Sequence, residues 1–225
     1  MKTEIINKGI FSALKVELES GEIFKAESGA MVSMDSDVEI SGKSEGGLLG
    51  GLGRMLAGET FFLQKLTTTS KKAEIILAPN MLGDIQEIEL KNETWSVQKD
   101  GFFAGDDCIE VSTKMQNLAK GLFSGEGFFI LKVSGIGKLF VSSFGSIVKI
   151  DIPAGKEYIV DNHHLVAWPE KIPMKIQKAS KGWISSLTSG EGLVVKFTGP
   201  GSIYIQTRNS SGFGNWIKQF IPIKK

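Results

Sequence analysis

The sequence predicts an all-β protein built from three tandem repeats with a few short helices. Glycine–glutamate pairs recur about every 65 to 70 residues, together with other features in the same order, which is hard to get by chance. An apolar, strand-like segment follows each pair, and segments of alternating apolar and polar residues precede it. Alternation of period two is typical of half-buried strands. The pairs are Gly58-Glu59, Gly125-Glu126 and Gly190-Glu191.

Each repeat is predicted to begin with two strands that meet at a polar turn. The three segments are "KVELESGEIFKAESGAM", "EIELKNETWSVQKDGFF" and "VKIDIPAGKEYIVDNHHLV". Their Ser-Gly, Asn and Pro-Ala-Gly turns predict hairpins. The "SGIGK" stretch of 134–138 also predicts a hairpin, because it lacks the rest of a dinucleotide-binding motif. Glu22, Glu93 and Glu157 are expected at equivalent places in the three repeats.

A short helix is predicted before each Gly-Glu pair. In "LLGGLGRMLAGE" the apolar residues keep helical spacing, and the glycine before the glutamate suits a helix end. No Lys-Ser or Lys-Thr pair follows the glycines, so the stretch does not match a phosphate-binding loop. A core-facing helix is favoured. The alternative is a face that contacts a membrane or a partner protein, formed by Leu48, Leu49, Leu52 and Met55.

Two further strands are predicted to complete each repeat. The segments "TFFLQKLT", "GFFILKVS" and "GLVVKFT" align on Lys65, Lys132 and Lys196. The segments "AEIILAP", "GKLFVSS" and "GSIYIQT" come next. The predicted boundaries are therefore 1–80, 81–149 and 150–225, with the three repeats packed as one compact unit.

The Gly-rich helix followed by "GETFF" resembles the signature of a family that includes a fungal protein named for altered inheritance of mitochondria. The resemblance extends over nearly the whole chain, through all three Gly-Glu blocks and the regions of Trp95 and Trp168. It implies repeats similar to the tryptophan RNA-binding attenuation protein. Such repeats form a short double-stranded β-helix with pseudo-threefold symmetry. The family implies no catalytic residues, and its mitochondrial members imply a role in membrane organisation.

The repeated charges form the candidate binding site. Under pseudo-threefold symmetry, residues at matching places lie on a ring about one axis. Glutamates on such a ring could bind an ion or a small ligand, with the repeated lysines neutralising them. The favoured alternative is that each glutamate caps its own turn, because buried like charges are costly unless they are paired. The residues are Glu59, Glu126, Glu191, Lys65, Lys132 and Lys196.

No catalytic residue, metal site or cofactor is predicted. His163 and His164 are adjacent, and neighbours on a strand face opposite sides, so one metal ion could not bind both. Asp106 and Asp107 are expected to diverge in a solvated turn. Cys108 follows these two carboxylates, which oppose thiolate formation. It is expected to be a small buried residue.

Composition narrows the class of partner. The 26 Lys and Arg residues balance 25 Asp and Glu residues, and only Arg54 and Arg208 are arginines. Nucleic acid is therefore an unlikely partner. No secretory signal or membrane span is expected, which favours a cytoplasmic protein. We expect a non-catalytic binding or assembly module that self-associates or binds a protein, with peripheral membrane contact as a further expectation. The alternative is a small-ligand or ion-binding protein that uses the repeated glutamates or a cleft between repeats.

Overall fold

The computed structural model describes residues 1–9, 11–43, 63–114, 130–178 and 193–221. These ranges contain seventeen β-strands and one α-helix, so the protein is mostly β-sheet, in agreement with the all-β prediction. The Gly-Glu pairs, the helices predicted before them and Trp183 lie outside the described residues.

The strands follow one another with short connections. The first third of the chain contains β1 (Lys2–Ile6), β2 (Ala13–Leu18), β3 (Ile23–Glu27), β4 (Met31–Met34), β5 (Val38–Lys43), β6 (Leu63–Thr68) and β7 (Ala73–Leu77). The middle third contains β8 (Ile85–Gln98), β9 (Phe102–Asp106), β10 (Ile109–Lys114) and β11 (Ile130–Ser142). The last third contains β12 (Ile147–Ile152), β13 (Glu157–Asp161), β14 (Leu165–Pro169), β15 (Met174–Lys178), β16 (Leu193–Thr198), β17 (Gly201–Gln206) and helix α1 (Ser210–Ile217).

Each third of the chain has the same strand pairings. In the first third, β2 and β4 both pair with β7, while β3 and β5 both pair with β6. In the last third, β12 and β14 pair with β17, while β13 and β15 pair with β16. In the middle third, the long strands β8 and β11 each take two of these places, and β9 and β10 pair with β11. All of these pairs are antiparallel.

The predicted hairpins at Asn92 and at 134–138 are wrong. β8 continues through Asn92, which has a φ of +62°, and β11 continues through Gly135, which has a φ of +125°. The two strands pair with each other on both sides of this point, where the register shifts. The turn residues therefore bend a continuous ribbon. The hairpins predicted at the Ser-Gly and Pro-Ala-Gly turns are wrong too. Strands β2 and β3 pair with β7 and β6, and β12 and β13 pair with β17 and β16.

The predicted equivalence of Glu157 is also wrong by one residue. Ile23 lies opposite Thr67, Thr94 lies opposite Ser134, and Glu157 lies opposite Thr198. Glu157 thus occupies the place of Ile23 and Thr94. The connections Leu18 to Ile23 and Ile152 to Glu157 have the same length, so Lys156 occupies the place of Glu22 and Glu93.

Two antiparallel pairings join successive thirds of the chain, and we call them joints. In the first joint β3 pairs with β9, with Ala26 opposite Ala104. In the second joint β8 pairs with β14, with Val97 opposite Ala167. These four residues are fully buried. The joints therefore link the thirds through both backbone hydrogen bonds and side-chain packing.

Three groups of buried side chains form the core. The first extends from β2 and β7 to Phe140, whose ring meets Phe24 edge-on at 6.0 Å. The second surrounds the middle of β8 and β11. The third includes Trp168, whose ring meets Phe197 edge-on at 6.0 Å. Edge-on contact is a favoured geometry for aromatic pairs, so these rings fix the packing of the sheets.

Candidate functional site

The three predicted lysines lie at one register on their strands. Each sits on the central strand of a three-stranded unit, between one residue on each flanking strand. Their opposite residues are Lys25 and Ser41 for Lys65, Ser96 and Ser112 for Lys132, and Ile159 and Lys175 for Lys196. Glu59, Glu126 and Glu191 lie outside the described residues, so a ring of glutamates stays a hypothesis.

At the first joint, Lys65 and Lys25 converge on one carboxylate. Their ammonium nitrogens lie 3.0 and 3.2 Å from Asp107 Oδ1. Lys25 is buried, and it also donates to the backbone carbonyls of Asp107 and Ile109 at 2.6 and 3.1 Å. Burial acts to raise the pKa of Asp107, but hydrogen bonds from the two lysines outweigh it and hold that pKa below its usual range. The carboxylate is therefore ionised and occupied.

The second joint repeats this arrangement with a glutamate. The buried Lys132 donates to Ser96 Oγ at 2.7 Å and lies 2.8 Å from Glu170 Oε1. Glu170 follows Ala167 by three residues, as Asp107 follows Ala104. Lys196 differs, since it pairs within its own third, 2.7 Å from Glu157. Among the described residues, each of the three lysines therefore forms an ion pair with a carboxylate at the end of a strand.

In the turn from Asp106 to Cys108, the two carboxylates are less solvated than predicted, and Cys108 is more exposed than predicted. The two carboxylates diverge as expected: Asp106 accepts a hydrogen bond from the backbone of Lys138 at 2.8 Å, while Asp107 faces the lysines. Cys108 is exposed, so the expectation that it is buried is wrong. It lies in the tight connection between β9 and β10, where its thiol meets the Ile136 carbonyl at 2.7 Å.

His163 and His164 lie in a 3₁₀ turn (Asn162–His164) and not in a strand. The His163 ring contacts Asp161 at 3.1 Å, whereas the His164 ring contacts the Gln206 carbonyl at 2.7 Å and Asn209 at 3.3 Å. The two rings thus have separate hydrogen-bonding partners. Within the described ranges, no group of three or more His, Cys, Asp or Glu side chains is placed to hold a metal ion.

Helix α1 presents a row of exposed aromatic side chains. Asn209 caps its N-terminus by accepting a hydrogen bond from the Gly212 backbone. The ring of Phe213 lies 5.1 Å from Phe144 and 6.0 Å from Trp216, which in turn lies 5.0 Å from Phe220. Trp216 is 56% exposed and Phe220 67% exposed. A spacing of three or four residues places side chains on one helix face. We call Phe144, Phe213, Trp216 and Phe220 the aromatic surface.

Two more exposed apolar residues lie in segments bonded to the Phe144 loop. Gly145 donates to the carbonyl of Leu82, and Ser12 donates to Gly83, both at 3.0 Å. Leu82 and Phe11 are each more than half exposed, and Phe11 has a φ of +49°. A bulky residue rarely adopts a positive φ, so the exposed conformation of Phe11 is strained.

The segments that carry these exposed side chains contain more cations than carboxylates. In sequence, segments 7–12, 81–85, 144–147 and 207–221 contain Lys8, Arg208, Lys218 and one carboxylate, Asp84. Asp84 is buried and accepts hydrogen bonds from Ser12 and from the backbone of Gly9 and Ile85. Beside the surface is a cleft of about 450 Å³. It is lined by Phe144, His164, Thr207, Arg208, Asn209, Gly212, Phe213 and Trp216.

The aromatic surface was not among the sites predicted from the sequence. Its signal was available in "NSSGFGNWIKQF", where a capping Asn precedes aromatic residues at helical spacing. The predicted membrane or partner contact at Leu48, Leu49, Leu52 and Met55 lies outside the described residues. None of the helices within the described ranges has the length and apolar character needed to cross a bilayer.

These features describe an all-β protein with recurring strand pairings and an exposed aromatic helix. Residues 3–208 match the family described as mitochondrial biogenesis AIM24, and the chain belongs to that family. It is 32% identical over 220 residues to an uncharacterized protein of Streptococcus pyogenes serotype M6, covering 94% of this chain and 88% of that protein.

A solved structure has a similar fold. It is the X-ray crystal structure of a protein from Streptococcus pyogenes, determined as a structural genomics target. The TM-score is 0.80 at 30% sequence identity, and the match covers 98% of this chain and 99% of that one. The similarity therefore extends over the whole fold.

Proposed function

We propose that the protein is a non-catalytic binding module that attaches peripherally to an anionic membrane surface. The observation that carries the proposal is the row of Phe213, Trp216 and Phe220, exposed together on and after helix α1. Large exposed apolar patches on soluble proteins commonly mark interaction sites. The predicted cytoplasmic location is part of this proposal.

The chemistry of this surface favours lipid over a second protein. Trp and Phe side chains bind well at the boundary between headgroups and acyl chains. Lys8, Arg208 and Lys218 lie in the segments that form the surface, and anionic headgroups attract such cations. The one carboxylate there, Asp84, is buried and hydrogen-bonded, so it does not oppose that attraction.

The proposal includes the repeat organisation expected from the sequence. We take residues 1–80, 81–149 and 150–225 as three tandem repeats of a short double-stranded β-helix with pseudo-threefold symmetry. They are similar to the repeats of the tryptophan RNA-binding attenuation protein. The recurrence of all four pairings in each third supports this organisation. So does a register shift at Met31/Ser33, Phe140/Val141 and Leu165/Ala167, on equivalent pairs. Such a scaffold would hold the aromatic surface rigidly at its last repeat.

Co-sedimentation with vesicles tests the membrane proposal. We expect the protein to bind vesicles of phosphatidylcholine and phosphatidylglycerol, and to bind phosphatidylcholine alone more weakly. The double variant Trp216→Ala/Phe220→Ala is expected to lose about tenfold or more in affinity, since each side chain contributes about 1.5 kcal/mol or more when buried in the interface. Ile136→Ala, which truncates a 65% exposed residue of β11, is the matched control and should bind normally.

Two outcomes would contradict the proposal. If the wild-type protein does not bind the anionic vesicles, the aromatic surface is not a lipid site. If Leu49→Asp/Leu52→Asp abolishes binding and the aromatic double variant does not, the Gly-rich segment forms the contact. Circular dichroism of each variant separates lost binding from lost folding.

A second candidate function is binding of a small ligand in the cleft beside helix α1. Its volume of about 450 Å³ suits a small organic molecule, and Arg208 with His164 offers polar groups among aromatic walls. Native mass spectrometry of gently purified protein would reveal such a ligand as a reproducible added mass. Loss of that mass in Arg208→Ala would place the ligand in the cleft.

A further inference from the structure

Two strands stand at free sheet edges where their counterparts form joints. β4 ends the sheet β1-β2-β7-β4, and β13 ends the sheet β13-β16-β15. β3 and β8, which correspond to β13, pair across joints with β9 and β14, which correspond to β4. Among the described strands, β13 and β4 therefore provide the two halves of a third joint that is not formed within the chain, so the proposed pseudo-threefold arrangement is open at these two edges.

The register of this third joint follows from the two that are formed. Ile159 lies opposite Lys196, as Lys25 lies opposite Lys65, so Ile159 takes the place of Lys25. Ser33 lies opposite Ile76 on β7, as Ala104 lies opposite Phe140 on β11. If the third joint has the register of the first, Val160 lies opposite Ser33, Ile159 opposite Met34 and Tyr158 opposite Asp35.

Exposure distinguishes the free edges from the joints. Tyr158 and Ile159 are 40% and 47% exposed, and Val32 of β4 is 60% exposed. At the first joint their counterparts Phe24, Lys25 and Phe103 are 0%, 8% and 0% exposed. An exposed apolar edge strand is a template for pairing with another chain, and proteins ordinarily protect such edges. β4 and β13 carry no proline and no glycine.

The charged residues at the two edges follow the pattern of the formed joints in part. Each formed joint has a central-strand lysine paired with a carboxylate at the end of the opposing strand, as in Lys65 with Asp107. At the free edges the lysine is Lys196, and the place of Asp107 falls at Ser36, between Asp35 and Asp37. Lys175 lies directly beside Lys196 on β15. β13 itself carries Glu157 and Asp161, and Lys196 pairs with Glu157. The β13 side therefore holds both signs of charge, whereas the β4 side is acidic.

We propose that β13 of one copy of the chain pairs with β4 of a second copy, head to tail, in the register of the internal joints. The partner is a second copy of the chain because each chain carries both β13 and β4, and its two formed joints show how such strands pair. The contact is heterologous, so repetition of it gives a closed ring or a filament. The inference goes beyond membrane binding and does not depend on it.

Sedimentation velocity over a concentration series tests the association. We expect the wild-type chain to form species larger than a monomer, and Ile159→Lys and Met34→Lys each to shift them to monomer. Both positions are already exposed, so a lysine there should leave the fold intact. Ile136→Lys, which places the same charge on a 65% exposed residue away from both edges, should assemble as the wild type does.

Disulfide crosslinking tests the register and the direction. In a Cys108→Ser background, we mix a Met34→Cys chain with an Ile159→Cys chain and oxidise the mixture. Directly opposite residues of an antiparallel pair lie close enough for a disulfide. The expected product is a covalent dimer containing one chain of each kind. Each variant oxidised alone should give little dimer.

Three results would overturn the proposal. The first is a wild-type chain that is monomeric at every concentration. The second is a crosslink that forms only inside a Met34→Cys/Ile159→Cys double variant, which would show that the third joint closes within one chain. The third is dimer formation by the single variants alone, which would show that like edges pair. Vesicle binding by Ile159→Lys keeps this test separate from that of the membrane proposal.

Discussion

At the scale of single residues, the structure places ionisable side chains in surroundings that the sequence pattern does not predict. Glu27, at the end of β3, is half-buried, and its carboxylate accepts a hydrogen bond from the Asn80 backbone at 3.5 Å. Burial raises its pKa to about 6 from an ordinary 4.5, and the charge of Asp100 acts in the same direction. The folded chain thus binds this proton more tightly than the unfolded chain.

The sign of the pH effect follows from that difference. Between pH 4.5 and about 6 the folded state holds more protons, so Glu27 lowers the free energy of unfolding as pH rises through this window. We expect Glu27→Gln to be more stable than wild type at pH 7, by about 1 kcal/mol, and equally stable below pH 4.5. Urea unfolding at both pH values checks this. An equal difference at both would implicate packing instead of charge.

At the scale of elements, the joints depend on paired charges that are partly buried. Replacing Asp107 by Asn leaves the buried Lys25 with only carbonyl acceptors and removes the partner of Lys65. We expect Asp107→Asn to lower the free energy of unfolding by about 1 to 3 kcal/mol at neutral pH. Because the folded-state pKa of Asp107 is depressed, its contribution is present above pH 3.8 and lost as pH falls through that lowered pKa.

A surface ion pair provides the matched control for that prediction. Glu89 lies 3.7 Å from Lys91, and both side chains are more than two-thirds exposed. Glu89→Gln should change stability by less than about 0.5 kcal/mol. Hydrogen exchange adds a local readout, since Asp107→Asn should speed exchange at the amides of β3 and β9. Equal effects of the two variants would mean that the joint does not depend on its carboxylate.

At the scale of the whole molecule, assembly and membrane binding are expected to reinforce each other. An assembly held by β13 and β4 carries one aromatic surface per chain, and several contacts with one vesicle raise apparent affinity. We expect monomeric Ile159→Lys to bind anionic vesicles about tenfold or more weakly than assembled wild type. The two should bind equally at dilutions where wild type is also monomeric. Equal binding at every concentration would mean that the assembled surfaces do not face one membrane.

The predictable part of this structure is the part encoded by local pattern. Alternation located strands that the structure contains, and the alignment on Lys65, Lys132 and Lys196 matches their common register. Polar turns were misassigned as hairpins because a residue such as Asn92, with positive φ, serves a bend as well as a hairpin. Which of the two forms depends on the strand that lies alongside.

The candidate site divides in the same way. The helical spacing of Phe213, Trp216 and Phe220 is visible in the sequence, but the exposure of their side chains is not. The exposed position of Cys108 depends on how tightly β9 returns to β10, which no single-residue preference specifies.

By itself, the sequence determined the all-β class, the family and the alignment of the three lysine-bearing strands, because side-chain alternation and residue identity are local properties. Only the tertiary structure decided which strands pair across the joints, which carboxylate meets each described lysine, and that β4 and β13 lie at the edges of their sheets among the described strands. Those outcomes depend on contacts between residues far apart in the chain, such as Lys25 and Asp107. No local pattern carries them, because they exist only after the sheets have assembled.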